Sequence, residues 1–488
     1  MNALEQFHLI GPAVVLLAGS GVVLVADLAW PRRSSVWGLT LLALAIAGTY
    51  TLVQALTGAG GDAFDGAVVV DRFSLFFAFT IVTTAAAVTL AAREWAAGFD
   101  RAPEFFSLLL VAAGAMILLA QSVDLIAIFI ALETTSIAQF VMAGIARDDR
   151  GSEAGLKYLL TGAVAAAVLL YGFTFLWGLS GETSLAAIAA FVAQGEESMR
   201  IPLMLAFALV AAGFGFKMAI VPFHAWVPDV YQGAPVPVAS FLSVASKAAG
   251  FAIVLRVFYA GLGGGDTFIA GEWALMFGVF AAASMIFGNA GALLQSNVKR
   301  LLGYSSIAQA GNIAVGLAAV AAGSTLGPSG VLFFIATYVA TNLGAFLTVL
   351  VVSQRLGSDE ISAYAGLIRR SPLAASILSL CLLSLTGIPP TAGFIAKVYV
   401  FNAAVRADEQ WLVALVAVAV VNTAVSAYYY LRWVRTMVLD APPEEKAFQP
   451  AASAQLALGA SAAGVLLFGL IPTPLIAAAQ RAAEVLQQ

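Results

Sequence analysis

Apolar segments of about 20 residues recur along the whole chain, and a repeated pattern of this length is typical of membrane-spanning helices. Of its 488 residues, 61% are hydrophobic and 10% are charged, whereas soluble domains carry about 25% charged residues. The sequence therefore predicts an all-α polytopic membrane protein. About fourteen transmembrane helices, called spans 1–14 below, are predicted near residues 8–30, 34–57, 73–92, 105–122, 123–145, 156–180, 202–223, 236–262, 273–295, 300–322, 329–353, 373–402, 410–434 and 452–472.

The distribution of basic residues predicts how the spans are oriented. Fifteen Lys and Arg residues follow odd-numbered spans, and four (Arg72, Arg200, Arg406 and Arg481) follow even-numbered spans. Cytoplasmic loops carry the excess of basic residues, so both termini are predicted to face away from the cytoplasm. The first apolar run is preceded by an acid and by no base, and it is predicted to be a spanning helix, not a signal peptide.

The spans are predicted to group into four regions. An N-terminal three-helix segment, a five-helix unit of spans 4–8, a second five-helix unit of spans 9–13, and a C-terminal helix with a tail would occupy residues 1–104, 105–262, 273–434 and 435–488, respectively. Because five is an odd number, two such units in sequence must have inverted topology, which is common in transporters.

A short repeated string supports these two units. The string Ala-Gly-Phe-x-x-Lys occurs at residues 212–217 in span 7 and again at 392–397 in span 12, the fourth helix of each unit. Chance is the alternative explanation, since Ala-Gly-Phe also occurs at 249–251 in this Ala- and Gly-rich chain.

Four ionisable side chains lie near the middle of predicted spans: Glu133, Lys217, Lys247 and Lys397. A charge at the bilayer centre costs about 2.5–3.5 kcal/mol, so each of them needs a physical reason. Three are lysines and one is an acid, so a structural salt bridge does not account for the set. Proton or ion handling is therefore the first hypothesis.

Glu133 in span 5 is predicted to pair with Lys217 in span 7, where Pro222 interrupts the helix. A proline inside a span frees a backbone carbonyl and makes a weak point that water or a polar side chain can fill. The pair is either an inert buried pair beside an ordinary kink or a switchable one. In a switchable pair, the lysine keeps its proton while the acid is close and loses it through desolvation when the acid moves away.

Lys247 in span 8 has no intramembrane acid left to pair with, and it is predicted to be a proton carrier that is sometimes neutral. Arg256 lies nearer the outer end of the same span and is predicted to snorkel to the interface. Lys397 follows Gly387–Gly393, which contains two adjacent prolines. Span 12 is therefore predicted to be discontinuous, as span 7 is, and the break would give Lys397 access to the outer side.

The remaining polar groups allow two interpretations each. His224 is either an ordinary hydrogen-bonded side chain near an interface or a relay between Lys217 and Lys247. Polar side chains of spans 10 and 11 either hold a chain of water or form helix-packing hydrogen bonds; they are Tyr304, Ser305, Ser306, Gln309, Asn312, Tyr338 and Asn342.

Cofactor sites are not expected on this chain. One cysteine, Cys381, and two histidines are too few to hold an iron–sulfur cluster or a structural zinc ion. No Walker-type or G-x-G-x-x-G loop is present in a soluble context, so no nucleotide site is predicted.

The run FGFKMAIVPFHAWVPDVYQGAPVPVASFLSVASKAAGF at residues 214–251 closely resembles the antiporter-like subunits of respiratory complex I, the bacterial NADH:quinone oxidoreductase. A lysine before a proline break, then P-F-H-x-W-x-P-D-V-Y-x-G-A-P, then a lysine in the next span is a highly specific pattern. The similarity spans the whole chain and implies fourteen helices. Lys397, where the M branch of the family usually has Glu, and the short tail after Pro474 favour the subunit N branch.

The resemblance implies a proton-translocating subunit of an NADH:quinone oxidoreductase, with no redox centre on this chain. Glu133 and Lys217 would be the input pair, Lys247 the central carrier, Lys397 the exit group and His224 a possible relay. NADH, FMN, iron–sulfur clusters and quinone would be used by other subunits, and quinone reduction there would drive the protons. The partners would be the other membrane subunits, antiporter-like and small, the hydrophilic arm and the lipid bilayer, and no nucleic acid.

Two other functions stay open at this point. The chain could be a subunit of a multi-subunit cation/proton antiporter, because such antiporters share the implied fold by resemblance. It could also be a structural membrane subunit whose buried charges only fix helix packing.

Overall fold

The computed structural model describes residues 3–29, 33–195, 197–262, 267–444 and 446–487, and helices dominate it. Arg32, one of the bases used to predict orientation, lies outside the described residues. In chain order the helices are α1 Ala3–Leu9, α2 Gly11–Ala29, α3 Arg33–Thr57, α4 Arg72–Ala91, α5 Arg93–Ala97, α6 Ala102–Gln121, α7 Leu125–Ala143, α8 Asp149–Ser180, α9 Leu185–Ala193, α10 Arg200–Met218, α11 Trp226–Gly233, α12 Val236–Ala260, α13 Ala270–Leu293, α14 Val298–Ala321, α15 Gly327–Leu356, α16 Leu367–Arg370, α17 Pro372–Thr386, α18 Ala392–Val405, α19 Gln410–Leu439, α20 Ala452–Leu470 and α21 Thr473–Ala483.

Twelve of the described helices are long and apolar enough to cross a membrane, and they coincide with spans 1–9, 11, 13 and 14. Span 10 corresponds to α14, which is less apolar, and span 12 to the two shorter helices α17 and α18. The all-α membrane fold is therefore confirmed, and the total of fourteen spans stays a prediction. Span 8, seen as α12, is buried throughout its most apolar 18 residues, and Lys247 is 2% exposed within the helix bundle.

Short polar side chains determine where several helices begin. Asp124 accepts hydrogen bonds from the backbone N–H groups of Ile126 and Ala127, at 2.9 and 3.2 Å, and so starts α7. Asp71 accepts from the N–H of Ser74 at 2.8 Å in a capping box at the start of α4. Such caps satisfy N–H groups that have no partner inside the helix. The cap at Asp124 explains why spans 4 and 5, nearly continuous in sequence, are separate helices.

Several short elements lie outside the predicted spans, among them a hairpin and two helices. The loop after span 2 contains an antiparallel hairpin of β1 (Gly61–Ala63) and β2 (Val68–Val70), and the loop after span 6 contains α9. The C-terminal tail forms α21, an amphipathic helix that buries Ala479, Ala482 and Ala483. These elements are too short or too mixed in polarity to be recognised from apolar runs of spanning length.

Spans 7 and 12 are both interrupted, as predicted. Helix α10 ends at Met218 and the chain resumes helical structure at Trp226; α17 ends at Thr386 and is followed by α18 from Ala392. Ala219 and Gly387, the first residues after α10 and α17, have left-handed backbone angles, with φ of 61° and 90°. A left-handed residue that ends a helix is a common C-terminal cap.

The two breaks follow the same backbone pattern. The N–H after each left-handed residue donates to the carbonyl five residues earlier, from Ile220 to Gly215 and from Ile388 to Leu383, at 3.1 Å in both cases. A proline follows the left-handed residue by three positions in both breaks. Within this pattern, Lys217 precedes its left-handed residue, whereas Lys397 follows the corresponding one.

The repeated Ala-Gly-Phe-x-x-Lys string therefore does not mark equivalent positions in the two breaks, and that interpretation of it is wrong. Counted from the left-handed residues Ala219 and Gly387, Lys397 corresponds to Asp229 and Lys217 corresponds to Leu385.

Helix α18 packs against the end of α17 at Gly393, and this contact leaves no room for a side chain. A Cβ on Gly393 would overlap the Ser384 carbonyl, and the Gly393 N–H donates to Ser384 Oγ at 3.0 Å. We expect Gly393→Ala to force α17 and α18 apart and to lower the free energy of unfolding by about 1–3 kcal/mol. The midpoint of unfolding of the purified subunit in a denaturing-detergent titration measures this change.

The matched control for this substitution is Gly459→Ala in α20, where nothing lies within 4 Å of the added Cβ. An exposed helical Gly replaced by Ala should be neutral or slightly stabilising. Equal midpoints for the two variants would contradict the tight contact at Gly393.

Candidate functional site

The three lysines of the spans are almost completely buried, with 3%, 2% and 5% of Lys217, Lys247 and Lys397 exposed. Glu133, on α7, is only partly buried. Buried charged groups need hydrogen-bond partners, so the contacts of each lysine indicate what the site can do.

Lys217 contacts two neutral side chains of α7. Its Nζ donates to Gln139 Oε1 at 2.9 Å and to Ser136 Oγ at 3.3 Å. Glu133 precedes Ser136 by one helical turn, but among the described residues Lys217 has no carboxylate within ion-pair distance of 4.0 Å. The predicted direct ion pair is therefore absent from this structure.

Gln139 is the residue that joins the Lys217 site to the next helices. Its Oε1 also accepts hydrogen bonds from Tyr158 Oη and Ser246 Oγ, both at 3.1 Å. Tyr158 belongs to α8, and Ser246 directly precedes Lys247 on α12. One side-chain oxygen thus connects Lys217 with the helix that carries the central lysine.

Lys247 donates to a backbone oxygen of α14. Its Nζ lies 2.5 Å from the carbonyl oxygen of Ser306 and 6.0 Å from the centre of the Tyr338 ring. The turn before it, Leu242–Ser246, is a π-helix, and a second one covers Val339–Leu343 on the facing helix α15. These turns meet where Asn342 Nδ2 donates to Ser243 Oγ at 3.0 Å. π-Helical turns are frequent at functional sites.

Lys397 caps the C-terminal end of α17. Its Nζ donates to the carbonyls of Leu385 and Thr386 at 3.1 and 2.9 Å, and Thr423 Oγ1 on α19 lies at 3.4 Å. The last carbonyls of a helix lack partners within the helix and favour a positive charge. Gln309 Nε2 of α14 donates to the same Leu385 carbonyl at 2.9 Å. This shared oxygen connects α14 with Lys397.

His224 lies in the segment between α10 and α11 and is partly buried. Neither Lys217 nor Lys247 is hydrogen-bonded to it in the described part of the chain, and its Nδ1 has no hydrogen-bond partner there. The contacts of Lys217 instead lead through Gln139 to Ser246, the residue before Lys247. The relay role of His224 stays a prediction without a contact that supports it.

Arg256 does not snorkel, so that prediction is wrong. It is 4% exposed, its Nη2 donates to Asp71 Oδ1 at 2.8 Å, and its Nε donates to the Ala120 carbonyl at 3.2 Å. Its guanidinium also lies 4.6 Å from the centre of the Phe73 ring. Arg256 is thus paired inside the protein with the acid that starts α4.

A second repeated string, on which none of the sequence predictions was based, contains the two glutamines of these contacts, Gln139 and Gln309. Ser-Ile-Ala-Gln occurs at residues 136–139 on α7 and again at 306–309 on α14. In the first copy the glutamine accepts directly from Lys217, and in the second it donates to the Leu385 carbonyl, which also accepts from Lys397. Aligning the two strings sets Glu133 opposite Gly303, so the carboxylate occurs in the first copy alone.

Several buried polar atoms near these lysines lack a partner among the described residues. They are Gln139 Nε2, Tyr231 Oη, Asn312 Oδ1, Tyr338 Oη and Asn342 Oδ1. Buried polar groups of this kind are usually satisfied by ordered water. No group of three His, Cys, Asp or Glu side chains in the described ranges could hold a metal ion.

Comparison with known proteins identifies the family. The model of the family described as "NADH:quinone oxidoreductase/Mrp antiporter, TM" matches residues 122–423. NADH-quinone oxidoreductase subunit N of Dehalococcoides mccartyi is 40% identical over 483 residues, which cover 97% of this chain and 99% of the relative. NAD(P)H-quinone oxidoreductase subunit 2 of a Synechococcus species is 43% identical over 444 residues, which cover 89% of this chain and 81% of the relative.

Solved structures agree with these matches. A chain of respiratory complex I from Thermus thermophilus with bound aureothin is 33% identical and superposes with a TM-score of 0.79, covering 96% of this chain and 98% of that chain. A chain of the Mrp complex from a Dietzia species is 21% identical with a TM-score of 0.87, covering 100% and 98%, and shows the fold alone. The chain therefore belongs to the antiporter-like membrane subunits of NADH:quinone oxidoreductase, respiratory complex I, in the subunit N branch.

Proposed function

We propose that this chain carries protons across the membrane through Glu133, Lys217, Lys247 and Lys397, and that quinone reduction in other subunits supplies the energy. The membrane would be the bacterial inner membrane, with both termini on the periplasmic side. The proposal is supported above all by the series of polar contacts that links the helices of the three buried lysines.

The first half of the series links Lys217 to Lys247. Gln139 Oε1 accepts from both Lys217 Nζ and Ser246 Oγ, and Ser246 is the residue before Lys247. The amide Nε2 of Gln139 is buried without a partner among the described residues, so water there would extend the link. Water would also be needed between Ser246 and the amine of Lys247, which donates to the Ser306 carbonyl.

The second half links Lys247 to Lys397. Lys247 donates to the carbonyl of Ser306, Gln309 follows one turn later on α14, and Gln309 shares the Leu385 carbonyl with Lys397. Unpartnered buried oxygens of Tyr338, Asn342 and Asn312 would bind the water that a proton needs between these groups. Thr423 of α19 lies next to Lys397, is partly exposed, and is the next polar group after Lys397 in the series.

Glu133 supplies the step that makes the series directional. In this structure Lys217 donates to neutral groups only, which is the arrangement with the acid withdrawn. A shift of the Glu133 carboxylate toward Lys217 would favour the protonated lysine, and its withdrawal would favour release. Moving one charge against 100 mV requires about 2.3 kcal/mol, and breaking a desolvated ion pair is of that order or larger.

The alternative function, a subunit of a cation/proton antiporter, has weaker support. The Mrp structure shares the fold at 21% identity, whereas the relative named subunit N is 40% identical over nearly the whole chain. No contact of the described residues favours binding of a metal cation at the three lysines. A protonated lysine amine also repels a metal cation, whereas a neutral one can accept a proton.

We expect Gln139→Leu to lower the proton/electron ratio of the complex while electron transfer from NADH to quinone continues. The substitution keeps a similar volume but removes the oxygen that connects Lys217 with Ser246. Proton uptake per NADH oxidised by reconstituted complex measures the effect. The matched control is Gln194→Leu at the exposed end of α9. A wild-type ratio for Gln139→Leu would exclude this route.

A further inference from the structure

We propose that Asp229 is a positioning residue for both Lys217 and Lys247. With Lys157 and Arg300 it forms a group, called the Asp229 cluster, that fixes α11 against the helices on either side. The inference rests on the proposed function, because positioning matters here for proton transfer. Asp229 occupies the position in the first break that Lys397 occupies in the second.

The Asp229 cluster joins three helices. The carboxylate of Asp229 on α11 accepts from Lys157 Nζ on α8 at 2.7 Å and from Arg300 Nη1 on α14 at 2.5 Å. Arg300 Nη1 also donates to Gln232 Oε1 on α11 at 3.1 Å. About a third of the Asp229 side chain is exposed (32%), so the cluster lies where α11 leaves the interior of the bundle. Charge-assisted contacts to two different helices hold the carboxylate from both sides.

Helix α11 in turn supports the Lys217 site. Trp226, its first residue, donates from Nε1 to the Phe216 carbonyl at 3.3 Å and stacks on Tyr158 with ring centres 4.4 Å apart. Phe216 directly precedes Lys217, and Tyr158 donates to Gln139, the acceptor for Lys217. A displacement of α11 would therefore move both the backbone of Lys217 and the acceptor of its ammonium group.

The other arm of the cluster supports the Lys247 site. Arg300 lies in the first turn of α14, and Ser306, whose carbonyl accepts from Lys247, lies on the same helix. Helices α11 and α14 touch at Gly303, where an added Cβ would lie 3.4 Å from Pro228 Cα. A change in the position of α11 is therefore transmitted to the acceptors of both lysines through rigid contacts.

Asp229 acts by charge and does not itself exchange protons. Partial burial raises the pKa of its carboxyl, but the hydrogen bonds from Lys157 and Arg300 outweigh burial and hold the pKa below its usual value. The carboxylate therefore stays ionised at neutral pH. Its contribution is to keep α11 in place while Lys217 and Lys247 change state.

The test uses the whole complex with Asp229→Asn, Asp229→Glu and the control Glu153→Gln. Glu153 binds the same Lys157 Nζ at 2.7 Å, but it lies on α8 itself and connects no second helix to it. We expect Asp229→Asn to lower the proton/electron ratio to a level near that of Lys247→Met while NADH oxidation per assembled complex continues. Asp229→Glu should restore most of the ratio, and Glu153→Gln should leave it unchanged.

A purely structural role would reduce the amount of assembled complex and leave its proton/electron ratio at the wild-type value, and that result overturns the inference. So does an equal loss in Glu153→Gln. If Asp229→Asn does not assemble, Arg300→Gln, which leaves Asp229 paired with Lys157, decides the question: a lowered ratio supports the inference and a wild-type ratio overturns it. Failure of the proposed function is distinct, because Lys247→Met would then pump at the wild-type ratio.

Discussion

Lys247→Met is expected to abolish the protons that this subunit contributes per NADH oxidised, while the complex assembles and continues to reduce quinone. Met has a similar length and fits a buried site, and it removes a charge that is costly to bury. The Ser306 carbonyl loses one hydrogen bond, which costs about 1 kcal/mol. The proton/electron ratio of reconstituted complex measures the loss, and the yield of assembled complex verifies folding.

Lys446→Met is the matched control for this variant, since Lys446 is exposed in the loop after α19. It should pump and assemble as the wild type does. If Lys247→Met also kept the wild-type ratio, Lys247 would not be a proton carrier, and the hypothesis that the buried charges serve helix packing alone would be favoured.

Arg256→Met is expected to have the largest effect on stability. The Asp71 side chain is 10% exposed and would remain as an unpaired buried charge, and breaking a buried ion pair in this way costs about 3–5 kcal/mol. The Ala120 carbonyl would lose its partner as well. The midpoint of unfolding in a denaturing-detergent titration, together with the amount of assembled complex in the membrane, measures the loss.

The double variant Arg256→Met, Asp71→Asn separates this explanation from a simple loss of packing. Asn removes the stranded charge but still provides the oxygen that caps α4. We expect the double variant to recover most of the stability lost in the single one, because replacing both partners of a buried pair is close to neutral. A double variant as unstable as Arg256→Met would show that the unpaired carboxylate is not the cause.

The sequence was sufficient for the features that depend on local composition. Apolar length predicted the spans, and the prolines at 222, 389 and 390 predicted the two breaks, because a proline removes a hydrogen bond wherever it lies in a helix. The buried lysines were recognisable for the same reason, since a charge in an apolar run is unfavourable in any packing arrangement.

The features that depend on packing could not be predicted in this way. Arg256 was expected at the interface because its partner, Asp71, lies 185 residues earlier in the sequence. Gln139 is one polar residue on one face of α7, and its role depends on α8, α10 and α12 all meeting it.

The proton/electron ratio of Lys247→Arg is the measurement on which the relay hypothesis depends. Arginine keeps the positive charge but does not release its proton in proteins. If Lys247 works by losing and regaining a proton, this variant should pump as poorly as Lys247→Met while NADH oxidation continues. A wild-type ratio with arginine at this position would show that a fixed charge is enough, and it would contradict proton transfer through Lys247.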